Sequence, residues 1–399
     1  MDLTSGYPLW LVKSGIPYTY PKLERNLKTD VLILGGGISG ALTAHYLIKN
    51  NIECVVADCR TIGLGSTCAS TSLLQYQVDV PLNELVTKVG KKNAVRSYQL
   101  SARSVDELES ICRKIAFTAF ERKKTLFYAS HLKDAELIKK EYQLQKEAGF
   151  RVQYWSEELI QKRFGIDSAA ALYSDHSAQT DAYLLTHSLF QYNLRKGLKV
   201  YDRTCIKSIV HTKKGVKVRT ENGHIIQARK LVYATGYESV KYIHKKIVDL
   251  HSTYAIASEQ LPTDKLWYNN CLLWETKQPY LYMRTTRDNR LLVGGRDEFF
   301  YNPRKRDQLI KTKSRLLRKD FGKLFPHIVW KPEFSWTGTF GSTKDGLPYI
   351  GYYQNLPNAL FALGFGGNGI TFSLIAARII ADLLKGRTNR DSNLFSFNR

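Results

Sequence analysis

The chain has 399 residues, enough for one large or two ordinary domains. Its 43% hydrophobic and 24% charged residues are those of a globular protein and exclude a disordered or fibrous chain. The 59 Lys and Arg exceed the 36 Asp and Glu to give a formal charge of +23, but they are dispersed in short groups such as Arg122, Lys123 and Lys124, so a solvated basic surface is expected before a nucleic-acid groove.

The leader MDLTSGYPLWLVKSGIPYTYPK has no basic start and is interrupted by Pro8, Lys13 and Pro17, unlike a secretion signal. From Asp30 the pattern changes. Val31 to Leu34 is an apolar run of strand length, the glycines Gly35, Gly36, Gly37 and Gly40 follow, Ala41 to Lys49 has helix-forming composition, and Cys54 to Ala57 is a second apolar strand ending in Asp58. This is a β-α-β unit. Gly35-Gly36-Gly37-Ile38-Ser39-Gly40 satisfies G-x-G-x-x-G in the one context that gives it meaning, after a strand and opening a helix. Gly35 allows the tight turn, Gly37 the approach of a pyrophosphate to the helix N-terminus, and Gly40 close helix-strand packing. Asp58, 18 residues beyond Gly40, is placed to accept hydrogen bonds from ribose hydroxyls. These features indicate a dinucleotide site without separating FAD from NAD.

Gly63 to Ser72 is packed with small and hydroxyl residues, suited to close passage beside phosphates and a flat ring. Pro81 to Ile115 is helical, with Val105, Leu108, Ile111, Cys112 and Ile115 along one face. Val216 to Thr220, Asn222-Gly223 and Ile225-Ile226 read as a hairpin, leading to the strand Leu231 to Tyr233 and the turn Ala234-Thr235-Gly236. Tyr280 to Thr285 and Arg290 to Val293 flank a second hairpin turn at Arg287, Asp288 and Asn289. Leu360 to Leu363 is a strand, followed by Gly364, Gly366, Gly367 and Gly369 and an apolar helix from Ile370 to Leu384. That helix carries Arg378 and Asp382, and no segment has the ~20 uninterrupted apolar residues of a membrane span. Six cysteines (Cys54, Cys59, Cys68, Cys112, Cys205, Cys271) form no CxxC pair and have no histidines at zinc-finger spacing. No metal site is expected, and free thiols in a reducing cytoplasm are the default.

In this order, the segments Gly35 to Gly40, Gly65 to Ser72, Ala234 to Gly236 and Gly364 to Thr371 resemble the D-amino-acid oxidase superfamily of flavoproteins, which includes sarcosine oxidase, glycine oxidase and gamma-glutamylputrescine oxidoreductase. The resemblance implies an α/β fold, a Rossmann-like FAD-binding domain of discontinuous segments (1–80, 170–240 and 335–399) and an α+β substrate domain with a large antiparallel sheet (81–169 and 241–334). It implies that Gly35, Gly37, Ile38, Ser39 and Gly40 hold the pyrophosphate and Asp58 the ribose. Gly65, Ser66, Thr67 and Ser70 would line the phosphates and flavin, with Ala234, Thr235 and Gly236 as a further approach. Gly367, Asn368 and Gly369 would set a helix N-terminus near the flavin pyrimidine ring. Where some relatives carry a cysteine that tethers the flavin, an ungapped comparison gives Gly338, so non-covalent FAD is expected.

The reaction the resemblance implies is hydride transfer from a carbon beside nitrogen to flavin N5, giving an imine that water hydrolyses. Relatives acting on α-amino acids clamp the substrate carboxylate with an arginine, whose fork suits that geometry. This chain has Phe340 near the corresponding glycine, which favours an amine. Arg284 and Arg296 are candidate replacement clamps and Tyr282 a candidate pocket aromatic. Where oxygen-using relatives place a lysine near the flavin the comparison gives Leu292, which leaves a dehydrogenase open; Lys344 has no assigned role. Two other readings stand beside this one: oxidative modification of a tRNA side group, to which the charge would draw RNA, and a dinucleotide-binding protein without this activity.

Overall fold

The computed structural model describes every residue except Gly364 and Phe365, so the expected contact at Gly364 lies outside the described residues. Two sheets organise it. In the first, the strands Ala359–Leu363, Ile225–Tyr233, Leu27–Leu34, Cys54–Ala57 and Lys199–Tyr201 lie side by side and parallel, with Tyr349–Tyr352 antiparallel at one edge. Val31 to Leu34, Cys54 to Ala57 and Ala359 to Leu363 are buried throughout, which is why they read as continuous apolar runs: a parallel sheet is covered on both faces. Helices Ile38–Lys49, Ala182–Leu194 and Gly369–Leu384 pack together over one face. On the other, Tyr233 stacks on Phe361 with ring centroids 4.4 Å apart.

The G-x-G-x-x-G segment joins strand Leu27–Leu34 to helix Ile38–Lys49, as the pattern predicts, although the helix begins three residues before Ala41. The first expected hairpin forms between Gly215–Thr220 and Ile225–Tyr233. Its second strand is continuous with the expected strand Leu231 to Tyr233, so one strand serves both the hairpin and the parallel sheet. Gly366–Leu384 is the one helical stretch among the described residues long and apolar enough by composition to cross a membrane, and most of it is buried within the fold.

The second sheet has ten strands. Thr4–Gly6, Pro332–Thr343, Val248–Ser258, Leu291–Glu298, Tyr282–Thr285, Leu272–Glu275, Phe120–Tyr128, Ala170–Thr180 and Leu73–Gln75 follow in spatial order, and Val152–Ser156 pairs with Ala170–Thr180. All its pairings are antiparallel except that of Leu272–Glu275 with Phe120–Tyr128. Helix Ile310–Leu324 covers part of it through Leu317 and Phe321, beside Trp267, Phe325 and Trp330. The second expected hairpin is here, between Tyr282–Thr285 and Leu291–Glu298.

The large sheet also draws strands from segments expected with the FAD-binding domain. Thr4–Gly6, Leu73–Gln75, Ala170–Thr180 and Pro332–Thr343 lie in the large antiparallel sheet, not with the dinucleotide sheet. An apolar run such as Ala170 to Tyr173 suits either sheet, and only long-range pairing decides between them.

Candidate cofactor and substrate site

A cavity of about 520 Å³ lies where the two sheets meet. It opens at the carboxyl ends of the parallel strands, where open α/β sheets bind ligands. Gly35, Gly37, Ile38, Ser39, Asp58, Gly65, Ser66, Thr67, Ser70, Ala234, Thr235, Gly236, Gly367, Asn368 and Gly369 all line it. Of the expected cofactor residues only Gly40 does not. A Cβ there would stand 1.9 Å from the Gly35 carbonyl oxygen, so Gly40 serves helix-strand packing rather than contact with a pyrophosphate. Gly35 has φ +109, and its Cβ would meet the Ala234 carbonyl at 2.3 Å. The glycine turn and the Ala234 turn are thus pressed together, and Gly35 tolerates no side chain at that contact.

Gly37 differs. The one atom a Cβ would approach is the Thr67 hydroxyl, at 2.8 Å, so the rest of its space faces the cavity. Asp58 accepts from the Gly36 N–H at 2.6 Å and the Arg60 N–H at 2.7 Å. Burial raises its pKa against these two amides, which favour the anion.

The segment Gly65 to Ser72 is held from behind. Trp336 Nε1 donates to the Ala69 carbonyl, Trp10 Nε1 to Ser70, and the Arg284 guanidinium to Thr71, Ser72 and Thr180. With those carbonyls occupied, the segment turns its remaining polar groups to the cavity. Ser66 Oγ is buried there without a hydrogen-bond partner, and an orphaned hydroxyl next to a helix N-terminus fits a phosphate oxygen. The opposed glycines, the orphaned Ser66 hydroxyl and the acid Asp58 suit FAD. Gly35, Gly37, Ser66 and Thr67 would hold its phosphates and Asp58 its ribose.

The other end of the cavity is lined by the large sheet: Thr253, Tyr280, Tyr282, Asp297, Gly338, Thr339 and Phe340, with Asp79 beside them. Asp79 Oδ1 accepts from the Tyr280 hydroxyl at 2.8 Å, and Oδ2 from the Gly367 N–H at 2.5 Å. Asn368 Oδ1 accepts from the Asp79 N–H. The helix start expected to face the flavin thus also holds an in-chain carboxylate, the kind of group its free N–H donors attract. Burial raises the pKa of Asp79.

Of the four substrate candidates, Tyr282 and Phe340 line the cavity and the two arginines do not. Arg284 is buried, bonded to four carbonyls, those of Thr71, Ser72, Thr180 and Thr285, and stacked 5.2 Å from Trp10, with its pKa lowered to about 10 by burial. It fastens the FAD segment to the sheet. Arg296 points away, forming a two-pronged pair with Asp320 at 2.6 and 2.5 Å. Leu292 is fully buried with Trp10, Cys68 and Trp336, and Lys344 is exposed. Asp79, Tyr280, Thr253 and Asp297 were not foreseen. An acid at the end of a strand has no distinguishing sequence signal.

One further expectation is overturned. Cys59 and Cys205 are joined by a disulfide beside Asp58, so these two thiols are not free; Cys54, Cys68, Cys112 and Cys271 are free and buried. A pair 146 residues apart leaves no trace in local spacing.

Comparison with known proteins agrees with this geometry. Residues 30–383 match the family described as "FAD dependent oxidoreductase". Gamma-glutamylputrescine oxidoreductase of Escherichia coli is 24% identical over 93% of this chain and 87% of its own length, and glycine oxidase of Geobacillus kaustophilus is 24% identical over 93% and 97%. The crystal structure of the latter superposes with a TM-score of 0.78 over 94% of this chain and 99% of that one, at 20% identity. That of L-proline dehydrogenase from P. horikoshii gives 0.78 over 93% and 97%, at 21% identity. With a family match across most of its length, the chain belongs to the FAD dependent oxidoreductase family and is an FAD enzyme.

Proposed function

We propose that this enzyme oxidises the C–N bond of a small amine that lacks an α-carboxylate, using non-covalently held FAD, with an imine that is hydrolysed as the product. The observation that carries the reading is the character of the substrate end: two acids, Asp79 and Asp297, with Tyr280, Tyr282 and Phe340, while both candidate clamp arginines are committed elsewhere. Such a lining attracts a cation and gives a carboxylate no guanidinium partner. FAD, when bound, supplies the two-electron acceptor that no side chain can.

The protein's own part is orientation and exclusion of water. The Tyr282 ring lies across Gly294, where a Cβ would fall 2.3 Å from Cζ, so the missing side chain is what lets this ring lie flat along the cavity wall. Tyr280 is fixed by Asp79 and packs edge-on to Trp274, ring centroids 6.0 Å apart. The non-covalent reading is supported by Gly338 in the lining and by the four free thiols, none of which lines the cavity.

The test is an anaerobic panel of amines and amino acids added to the yellow holoenzyme, watching flavin bleaching and then reoxidation in air. Bleaching by amines is expected. The rate in air separates an oxidase from a dehydrogenase. Bleaching by α-amino acids alone would overturn the reading.

A further inference from the structure

Strand Leu291–Glu298 carries a β-bulge against Val248–Ser258. Tyr254 pairs with Gly295 and Ser252 with Glu298, so Arg296 and Asp297 together oppose Thr253. Arg296 has φ +58, an unfavourable conformation for a side-chain-bearing residue, costing about 1–2 kcal/mol. A bulge re-aims the side chain that follows. Here Arg296 goes outward to Asp320, and Asp297 lines the cavity. Lys313 reinforces the distortion, donating to the Arg296 carbonyl at 3.0 Å and pairing with Glu298.

The two acids of the cavity differ. Asp79 has a donor on each oxygen, whereas Asp297 Oδ1 is buried without a hydrogen-bond partner. The nearby cations are spent on other groups, Arg296 on Asp320 and Lys313 on Glu298. Thr253 serves the Asp297 carboxylate, but Oδ1, on a side chain that lines the cavity next to the strained Arg296, has no in-chain partner and is left for something that enters.

We propose that the Asp297 carboxylate binds the ammonium group of the substrate and takes its proton, so that a neutral amine is presented for oxidation. This rests on the amine reading above. One N–H bond breaks and one O–H bond forms: R–CH₂–NH₃⁺ and Asp297–COO⁻ become R–CH₂–NH₂ and Asp297–COOH. No electron moves in this step, and the proton passes to water when product leaves. The amine nitrogen regains the lone pair that the positive charge had removed.

The surroundings agree. Burial, assisted by the charge of Asp79, pushes the Asp297 carboxyl up to about 7, with Thr253 and Lys313 opposing. Tyr280, Tyr282 and Tyr254 also feel its charge. A carboxyl so raised is a far better proton acceptor than an ordinary one.

The test uses the holoenzyme and n-butylamine, with binding read anaerobically from the perturbed flavin spectrum between pH 5.5 and 9. An alkylammonium keeps its proton to about pH 10, so the pH limb belongs to the enzyme. Affinity is expected to rise about tenfold per pH unit up to near 7 and then level. At pH 8 binding should release no net proton to a dye indicator, because the proton moves to Asp297. Asp297→Asn should bind at least tenfold more weakly and lose the limb, while Asp297→Glu restores it; FAD content and circular dichroism check the fold of both. If Asp297→Asn keeps wild-type affinity and limb, or a full proton is released to solvent, the inference fails while the amine reading stands. If no amine in the panel binds or bleaches the flavin but amino acids do, both fail.

Discussion

The glycines of the first turn carry separable roles. At Gly40 a Cβ would enter the Gly35 carbonyl, whereas at Gly37 it meets only a side-chain atom, the Thr67 hydroxyl. Gly40→Ala should therefore destabilise the protein with or without FAD, by roughly 1–3 kcal/mol for a steric insertion into packed backbone. Gly37→Ala should leave the apoprotein melting temperature within a degree or two and weaken FAD at least tenfold. Thermal melts of apoprotein and a fluorescence titration with FAD check both. Arg284 is a second case, because its guanidinium donates to four carbonyls, three of them in buried bonds. Arg284→Met should cost about 3 kcal/mol or more, since each buried acceptor left unpaired costs ~1–3 kcal/mol, while amine affinity per molecule of folded holoenzyme should not change. Urea titration and flavin perturbation measure the two effects. A large loss of substrate affinity without loss of stability would make Arg284 a substrate ligand.

At the scale of elements, the bulge in Leu291–Glu298 joins stability to substrate contact. Asp320→Asn weakens the pair that turns Arg296 outward. A loss of about 1 kcal/mol in stability is expected, as for partly exposed pairs, with a several-fold weaker affinity for n-butylamine as Asp297 loses its fixed aim. The disulfide ties the end of strand Cys54–Ala57 to the start of Ile206–Thr212. Thiol titration of denatured, unreduced protein should find four thiols, and six after reduction. The β-α-β unit, both hairpins and the core helix are legible because each is written in local periodicity and turn residues. The bulge, the pairing of Ala170–Thr180 into the large sheet, and the Cys59–Cys205 bond are set by partners roughly 40 to 150 residues away, which no local pattern encodes. The cavity-lining residues expected to hold FAD share that local character, being glycines and hydroxyls crowded in short segments. Asp79 and Asp297 do not, and Arg284, a reasonable clamp by type, proves to be a fastening of the FAD segment.

For the whole molecule, the cavity is the junction. The parallel sheet supplies the glycine turn, and the antiparallel sheet supplies Thr253, Tyr280, Tyr282 and Asp297. FAD bound there should act as a brace between the sheets. At a free concentration about 1,000 times its Kd it should add roughly 4 kcal/mol, so removing it should lower the melting temperature by several degrees, restored by adding FAD. The proposed chemistry would depend on the same junction, because Asp297 lies on the antiparallel sheet and the glycine turn on the parallel one. The most direct test of the amine reading is a matched pair: n-butylamine and 2-aminopentanoate, which differ by an α-carboxylate, each added anaerobically to the holoenzyme while flavin bleaching is timed. Faster bleaching by n-butylamine is predicted, since Arg60, the arginine that lines the cavity, is paired with Glu238 and two acids at the substrate end repel the carboxylate. Faster bleaching by either enantiomer of 2-aminopentanoate would contradict the account.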